Sequence, residues 1–253
     1  MIDLHSHLLP GVDDGSRSVE QSVGVLTTMR DGGVTAVCLT PHHTVSRIGQ
    51  GIPASHDAAF RQLSLKAPEG LQLYRGVELM LDRSVREELG AAPGITLGGT
   101  RCILVEFTRF ATAPAVSNAL MQILRLGLIP LLAHPERYAA TTPKAAWQWK
   151  SLGALLQVDA TTIFHPGRRG QRARELLAHG LADVMAADNH GDGRSLLVPY
   201  RLLCEQGGEH VADLLARKNP GAILAQQPLD PVPALQIKTG LFTRLKELFG
   251  TEE

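Results

Sequence analysis

Short apolar runs of β type alternate with amphipathic segments along almost the whole chain. "AVCLT" (36–40), "LQLYRGVEL" (71–79), "RCILVEF" (101–107), "LIPLLAH" (128–134), "GALLQVD" (153–159) and "LADVMAAD" (181–188) each read as a strand buried on both faces. Helical spacing falls between them. Val19, Val23, Leu26 and Met29 recur before Asp31-Gly32-Gly33. Val116, Leu120, Ile123 and Leu124 recur before Gly127, and residues 172–179 repeat the pattern before Gly180. With an opening strand at 2–7 ("IDLHSH") this makes about seven β–α units. Such alternation gives parallel strands, closed or nearly closed on themselves. The expected fold is α/β, a distorted, TIM-like (β/α)7 barrel.

At 253 residues the chain can bury one large core. Lys and Arg number 25 against 25 Asp and Glu, with no basic run, so nothing points to nucleic acid. Cys38, Cys102 and Cys204 form no CxxC and read as small buried apolar residues. A charged-then-apolar leader and an apolar run of about 18 residues are both missing, so a cytoplasmic location is expected. Residues 44–56, with Gly49, Gly51 and Pro53, are expected to loop over the barrel mouth. The barrel is expected to span 1–225, followed by a proline-containing linker (226–236) and an amphipathic helix (237–249). In that helix Ile237, Leu241, Leu245 and Leu248 form an apolar stripe that Phe242 and Phe249 widen. Such a stripe requires cover: the barrel's outer helices, a second copy in a homo-oligomer, or the cytoplasmic membrane surface. Membrane contact is otherwise expected to be only indirect.

The strand ends carry the chemistry. His5 and His7 lie two apart on a strand and share a face. Asp14 follows in the next loop. "TPHH" supplies His42 and His43, the third strand Glu78, the fourth Glu106, the fifth His134, and the seventh Asp188 with His190. Taken singly, Glu78 is a solvated strand end, His134 a core histidine and Asp188 a helix cap. Six of seven strand ends in one phase argue for a shared site at the carboxyl face, where barrels build their sites. Nine nitrogen and oxygen donors exceed the roughly four to six that one ion accepts, so a cluster of two or three ions with bridging carboxylates is expected. Imidazole and carboxylate without thiolate suit manganese, iron or zinc. Clustered ions activate water and clamp the attacking and leaving oxygens of an in-line displacement, which suits phosphate-ester hydrolysis. Arg137 in "HPER" and Arg194 in "DNHGDGR" are expected beside this face, where guanidinium forks match phosphate oxygens. Beside a cationic cluster they need an anion between them. Asp13 reads as a turn former and His43 as a neighbour of the site, either supporting a ligand from behind or taking part in catalysis. His56, His165, His179 and His210 read as structural or surface residues.

"DLHSHLLPGVDDGS", "TPHH", Glu78, "LVEF", "AHPERY" and "ADNHGDGR" resemble the polymerase and histidinol phosphatase (PHP) superfamily. Within it they are most similar to the bacterial manganese-dependent protein-tyrosine phosphatases of the CpsB/YwqE type, from capsule and exopolysaccharide systems. The resemblance runs from residue 1 to about 225, ending at "KNPGAIL". It implies a PHP-type barrel with three divalent ions, manganese first and iron or zinc as alternatives. His5, His7, Glu78 and Asp188 would hold one ion, and Glu78, Glu106 and His134 the second. Asp14, His42 and His190 would hold the third. Arg137 and Arg194 match the family's phosphate-binding arginines. The implied reaction is hydrolysis of phosphotyrosine on a partner protein, a bacterial tyrosine kinase controlling polysaccharide synthesis, by attack of metal-bridging hydroxide. A cysteine mechanism is excluded, because Cys-x5-Arg would need arginine where Thr44, Thr108 and His210 stand. The alternatives are a small-molecule phosphomonoesterase such as histidinol phosphatase, an amidohydrolase, and a non-catalytic metal-binding regulatory scaffold. The amidohydrolase would carry a bridging lysine where Glu78 and Glu106 stand.

Overall fold

The computed structural model describes residues 1–238. Each apolar run forms a strand, and neighbouring strands pair in parallel. β1 (Ile2–Ser6) pairs with β2 (Ala36–Leu39), and β3 (His42–Thr44) continues the same chain segment after a break at Pro41. β4 (Gln72–Arg75) pairs with β2, and β5 (Glu78–Met80) follows it after Gly76-Val77. From β3 the sheet runs through β5, β6 (Cys102–Glu106), β7 (Ile129–Ala133) and β8 (Leu155–Asp159) to β9 (Val184–Ala186). Proline lacks the N–H a ladder needs, which explains the first break. The Pro41 carbonyl still accepts from the Glu78 N–H at 3.1 Å, and Leu39 accepts from Gly76, also at 3.1 Å. The second and third strand positions are therefore continuous but kinked.

β1 and β9 approach each other across a seam that one bridge spans. Ser6 and Asn189 form a parallel bridge, and the His7 N–H donates to the Asn189 carbonyl at 2.7 Å. Lower in the seam, the buried Asp3 carboxylate accepts from the Ala187 N–H at 3.2 Å and from the His5 N–H at 3.2 Å. A side chain thus supplies what a ladder bond would. Burial raises Asp3 to about 7, against those two hydrogen bonds. Cys38, Leu104, Leu131 and Val184 pack in one cluster. Leu104 alternates with Glu106 on one face of β6, so this apolar layer floors the polar mouth.

Helices return the chain on the outside. They are α1 (Val19–Asp31), α2 (Ala54–Ser64), α3 (Glu88–Ala91), α4 (Ala113–Arg125), α5 (Pro143–Leu152) and α6 (Arg168–Ala178), then α7 (Leu197–Glu205), α8 (Glu209–Asp213) and α9 (Asn219–Leu224). Ser18, Thr112 and Thr142 cap α1, α4 and α5 by accepting from backbone N–H groups of the first turn.

Several expectations are corrected. β4 is only partly covered, because it faces the Leu97–Gly99 turn where a partner strand would lie. Residues Val45–Gln50 form a 3-10 helix with Val45 and Ile48 buried, and α2 begins at Ala54, so 44–56 is not an open loop. α6 starts at Arg168, ahead of its apolar periodicity. Cys204 is half-exposed, unlike Cys38 and Cys102. Residues 226–236 carry no helix or strand but are docked. The Asn219 side chain accepts from the Asp230 N–H and donates to its carbonyl, both at 3.0 Å, and the Leu235 N–H donates to Leu177 at 2.9 Å. The expected helix 237–249 lies, from Thr239 onward, outside the described residues. Among the described residues no helix is long and apolar enough to cross a membrane.

Candidate metal centre

Two strained strand ends open the site. His134 (φ 32°) and Asp188 (φ 49°) are two of the three non-glycine residues with positive φ among the described residues. Each such conformation costs about 1–3 kcal/mol and persists only where the surroundings enforce it. At the end of β1, Gly15 lets the following loop fold back onto His7, since a Cβ there would come within 2.0 Å of the His7 carbonyl oxygen.

Glu78, 1% exposed, is the hub. Its Oε2 lies 3.3 Å from His5 Nε2, 3.3 Å from His7 Nε2 and 3.1 Å from His42 Nδ1, and its Oε1 lies 2.8 Å from His134 Nε2. Asp188 Oδ1 is 3.2 Å from His5 Nε2 and 3.4 Å from His7 Nε2. Those two imidazole nitrogens are 3.1 Å apart, aimed at a common point. Glu106 approaches His42 Nδ1 at 3.4 Å and His134 Nε2 at 3.9 Å. Asp14 Oδ1 stands 3.4 Å from His42 Nε2 and 3.7 Å from His190 Nε2. All nine candidate donors therefore meet at one mouth. They fall into four overlapping groups: His5, His7 and Asp188; His5, Glu78 and His134; His42, Glu78 and Glu106; and His7, Asp14, His42 and His190. The partition is less exclusive than the resemblance implies, since His5, His7, His42 and Glu78 each serve two groups.

The electrostatics couple the imidazoles to the carboxylates. Burial would lower His5, but Glu78 and Asp188 outweigh it and raise its pKa; burial would lower His7 too, but Asp13 first, then Asp188 and Glu78, raise it. His42 stands at about 10, where Glu106 and Glu78 overcome its burial. Burial would raise Glu78 and Asp188, yet the imidazoles hold both below the usual carboxylate range. Carboxylates that stay ionised in a buried mouth, facing imidazole nitrogens, make a donor set for divalent metal. The mixture of nitrogen and oxygen donors, without thiolate, fits manganese, iron or zinc.

Outer partners set the tautomers. His5 Nδ1 donates to Gln157 Oε1 at 3.0 Å and His190 Nδ1 to the Asp188 carbonyl at 2.9 Å, which turns each Nε2 toward the centre, where it would face a bound ion once deprotonated. His7 Nδ1 donates to Asp13 Oδ2 at 2.7 Å. Asp13 is also the turn former expected, accepting from the Gly15 N–H at 3.1 Å, but the hold on His7 was not foreseen. His43 is buried away from the donor groups, its Nε2 without a partner among the described residues.

Arg137 and Arg194 do flank the donors. Arg137 pairs with Asp159 at 2.8 Å and with Asp188, and those two carboxylates keep the guanidinium firmly charged despite its burial. Arg194 Nη1 lies 3.6 Å from the same Asp188 Oδ2 and pairs with Asp192 at 2.8 Å. The anions that hold them side by side are thus carboxylates of the chain. Asp159 is the end of the sixth predicted strand, the one strand end the sequence reading passed over. Gln157 precedes it by two residues, a polar side chain inside an apolar run. Glu136 supports both loops, its Oε1 accepting from the Asp159 N–H at 2.8 Å. Burial and the nearby Asp159 push Glu136 up to about 8.

Known proteins resemble this chain in sequence and fold. The chain is 29% identical to the tyrosine-protein phosphatase CpsB of Streptococcus agalactiae, over 88% of this chain and 98% of that protein. It is 33% identical to the tyrosine-protein phosphatase YwqE of Bacillus subtilis, over 75% and 77%. Its fold superposes with a TM-score of 0.78 on a structure from work on Bacillus subtilis YwqE and Streptococcus pneumoniae CpsB, described as metal-dependent tyrosine phosphatases, at 22% identity over 94% of this chain and all of that one. A phosphotriesterase from Mycobacterium tuberculosis shares the barrel more distantly, with a TM-score of 0.57 at 13% identity over 90% and 95%. Residues 1–225, which hold every donor and both arginines, match the family model described as capsular polysaccharide synthesis, CpsB/CapC, and the chain belongs to that family.

Proposed function

We propose that this chain is a metal-dependent phosphatase that hydrolyses phosphotyrosine on a partner protein, a bacterial tyrosine kinase of capsular or exopolysaccharide synthesis. The observation that carries the reading is the meeting of Arg137 and Arg194 on Asp188, directly beside the donor groups. The names of the relatives support phosphotyrosine as the substrate.

His5, His7, Asp14, His42, Glu78, Glu106, His134, Asp188 and His190 would hold three ions, manganese first. Ions bound there supply Lewis acidity toward water and phosphoryl oxygen. The residues of the chain do the positioning. Arg137 and Arg194 present guanidinium donors to the phosphoryl oxygens, and Asp159 and Asp192 hold those forks in place before substrate arrives. Gln157 and Asp13 keep His5 and His7 oriented, so that the donors need no rearrangement. The apolar layer of Cys38, Leu104, Leu131 and Val184 excludes water from below.

Phosphate release with added manganese, measured in parallel on a phosphotyrosine peptide, the matching phosphoserine peptide and histidinol phosphate, tests the substrate class. The phosphotyrosine peptide is expected to give the highest kcat/KM by about tenfold or more. Preference for histidinol phosphate would replace this reading with that of a small-molecule phosphomonoesterase.

A further inference from the structure

The rim of the mouth is not uniform. Three consecutive strand-to-helix loops, at 107–112, 134–142 and 160–167, border the sector on either side of Arg137. In these loops and the adjoining Arg168-Arg169 step, the only carboxylate is the fully buried Glu136. The same stretch exposes Arg109, His165, Arg168 and Arg169, and none of the three arginines has an ion-pair partner among the described residues. The neighbouring loops on either side are mixed in charge: residues 81–88 carry Asp82, Glu87 and Glu88 with Arg83 and Arg86, and in the loop after β9 Asp192 pairs with Arg194.

The sector is tied to the phosphate arginine on both flanks. The Ala139 N–H donates to the Arg109 carbonyl at 3.1 Å, which fixes the 107–112 loop beside the one carrying Arg137. On the opposite flank, Arg172 Nη1 donates to the Glu136 carbonyl at 3.3 Å, which packs the first turns of α6 against the Pro135–Arg137 turn. Next to Arg109 in the 107–112 loop stands Phe110, 88% exposed, one of the two most exposed large apolar side chains among the described residues. Exposed arginines without ion-pair partners among the described residues, and an exposed phenyl ring, on the loops flanking the one that carries Arg137, are more than a small phosphoester needs.

We propose that this sector binds the polypeptide flanking the phosphotyrosine and selects acidic residues there. Phe110 covers the peptide, and Arg109, Arg168 and Arg169 attract its carboxylates. The proposal rests on the phosphotyrosine reading above and adds the direction and charge of the substrate's approach. Exposed guanidiniums act mainly on encounter rate and orientation, and salt screens them.

The test uses three phosphotyrosine peptides of equal length with glutamate, serine or lysine flanks. A matching set bears a non-hydrolysable phosphonate in place of the phosphate. At low salt the wild-type protein is expected to favour the glutamate peptide over the serine peptide by about tenfold in kcat/KM, and the phosphonates by a similar ratio in Kd. The preference should shrink at about 0.5 M salt. In R168E/R169E and in R109E it should vanish or invert, while p-nitrophenyl phosphate turnover stays at wild-type level. Equal use of all three peptides, or a glutamate preference untouched by charge reversal, would overturn the proposal while leaving the phosphatase reading standing. If no phosphotyrosine peptide is hydrolysed, that reading fails, and the phosphonate affinities still decide whether the sector binds acidic peptide.

Discussion

Glu78→Gln is expected to abolish turnover in a protein that still folds. The change keeps the shape of the side chain and removes the one charge that faces His5, His7, His42 and His134 together. It also turns one acceptor oxygen into an N–H₂ donor aimed at imidazole nitrogens, so the variant loses a ligand and repels a cation at the same point. Breaking a buried, hydrogen-bonded charge pair costs about 2–5 kcal/mol, and about 4 kcal/mol corresponds to roughly a thousandfold in rate. Because Glu78 serves two donor groups, bound metal should fall with activity. Elemental analysis of the desalted variant, kcat on a phosphotyrosine peptide and far-UV circular dichroism check the three parts. Normal turnover in E78Q would remove the hub from the account.

Arg137→Ala should produce a different defect. Metal content is expected to stay at the wild-type level, because Arg137 touches Asp188 from the side facing Asp159 and donates nothing to an ion. Affinity for inorganic phosphate and kcat/KM should fall by about 2–5 kcal/mol in free-energy terms, roughly 30-fold to several thousandfold. Arg137→Lys should recover only part of this, since a lysine keeps the charge but not the planar fork. Phosphate binding measured by calorimetry, alongside kinetics, separates the loss from metal depletion. Wild-type phosphate affinity in both variants would place the phosphate subsite elsewhere.

The two experiments fall on residues of unequal legibility. Glu78 could be read from the sequence because it stands near the end of an apolar run, in phase with the other donors, and strand alternation turns such phase into a shared direction. The kinks at Pro41 and Gly76-Val77 were written in residue types, but their effect, one strand position divided between two sheets, depends on pairing with distant neighbours. The exposure of β4 depends on the Leu97–Gly99 turn and was equally hidden. The supports of the site were the least visible. Gln157 holds His5 from 152 positions away, and Asp3 closes the seam through Ala187, 184 positions away. No local period reports such pairs. Asp159 was within reach, as a carboxylate ending a strand in the expected register, but it braces an arginine where its neighbours offer donors to the centre.

The most direct test of the metal-dependent phosphatase is a manganese titration of chelator-stripped protein, followed by phosphate release from a phosphotyrosine peptide. The expected result is no turnover in excess chelator, recovery as manganese is added, and saturation near the three ions proposed above. Full turnover in excess chelator would contradict it.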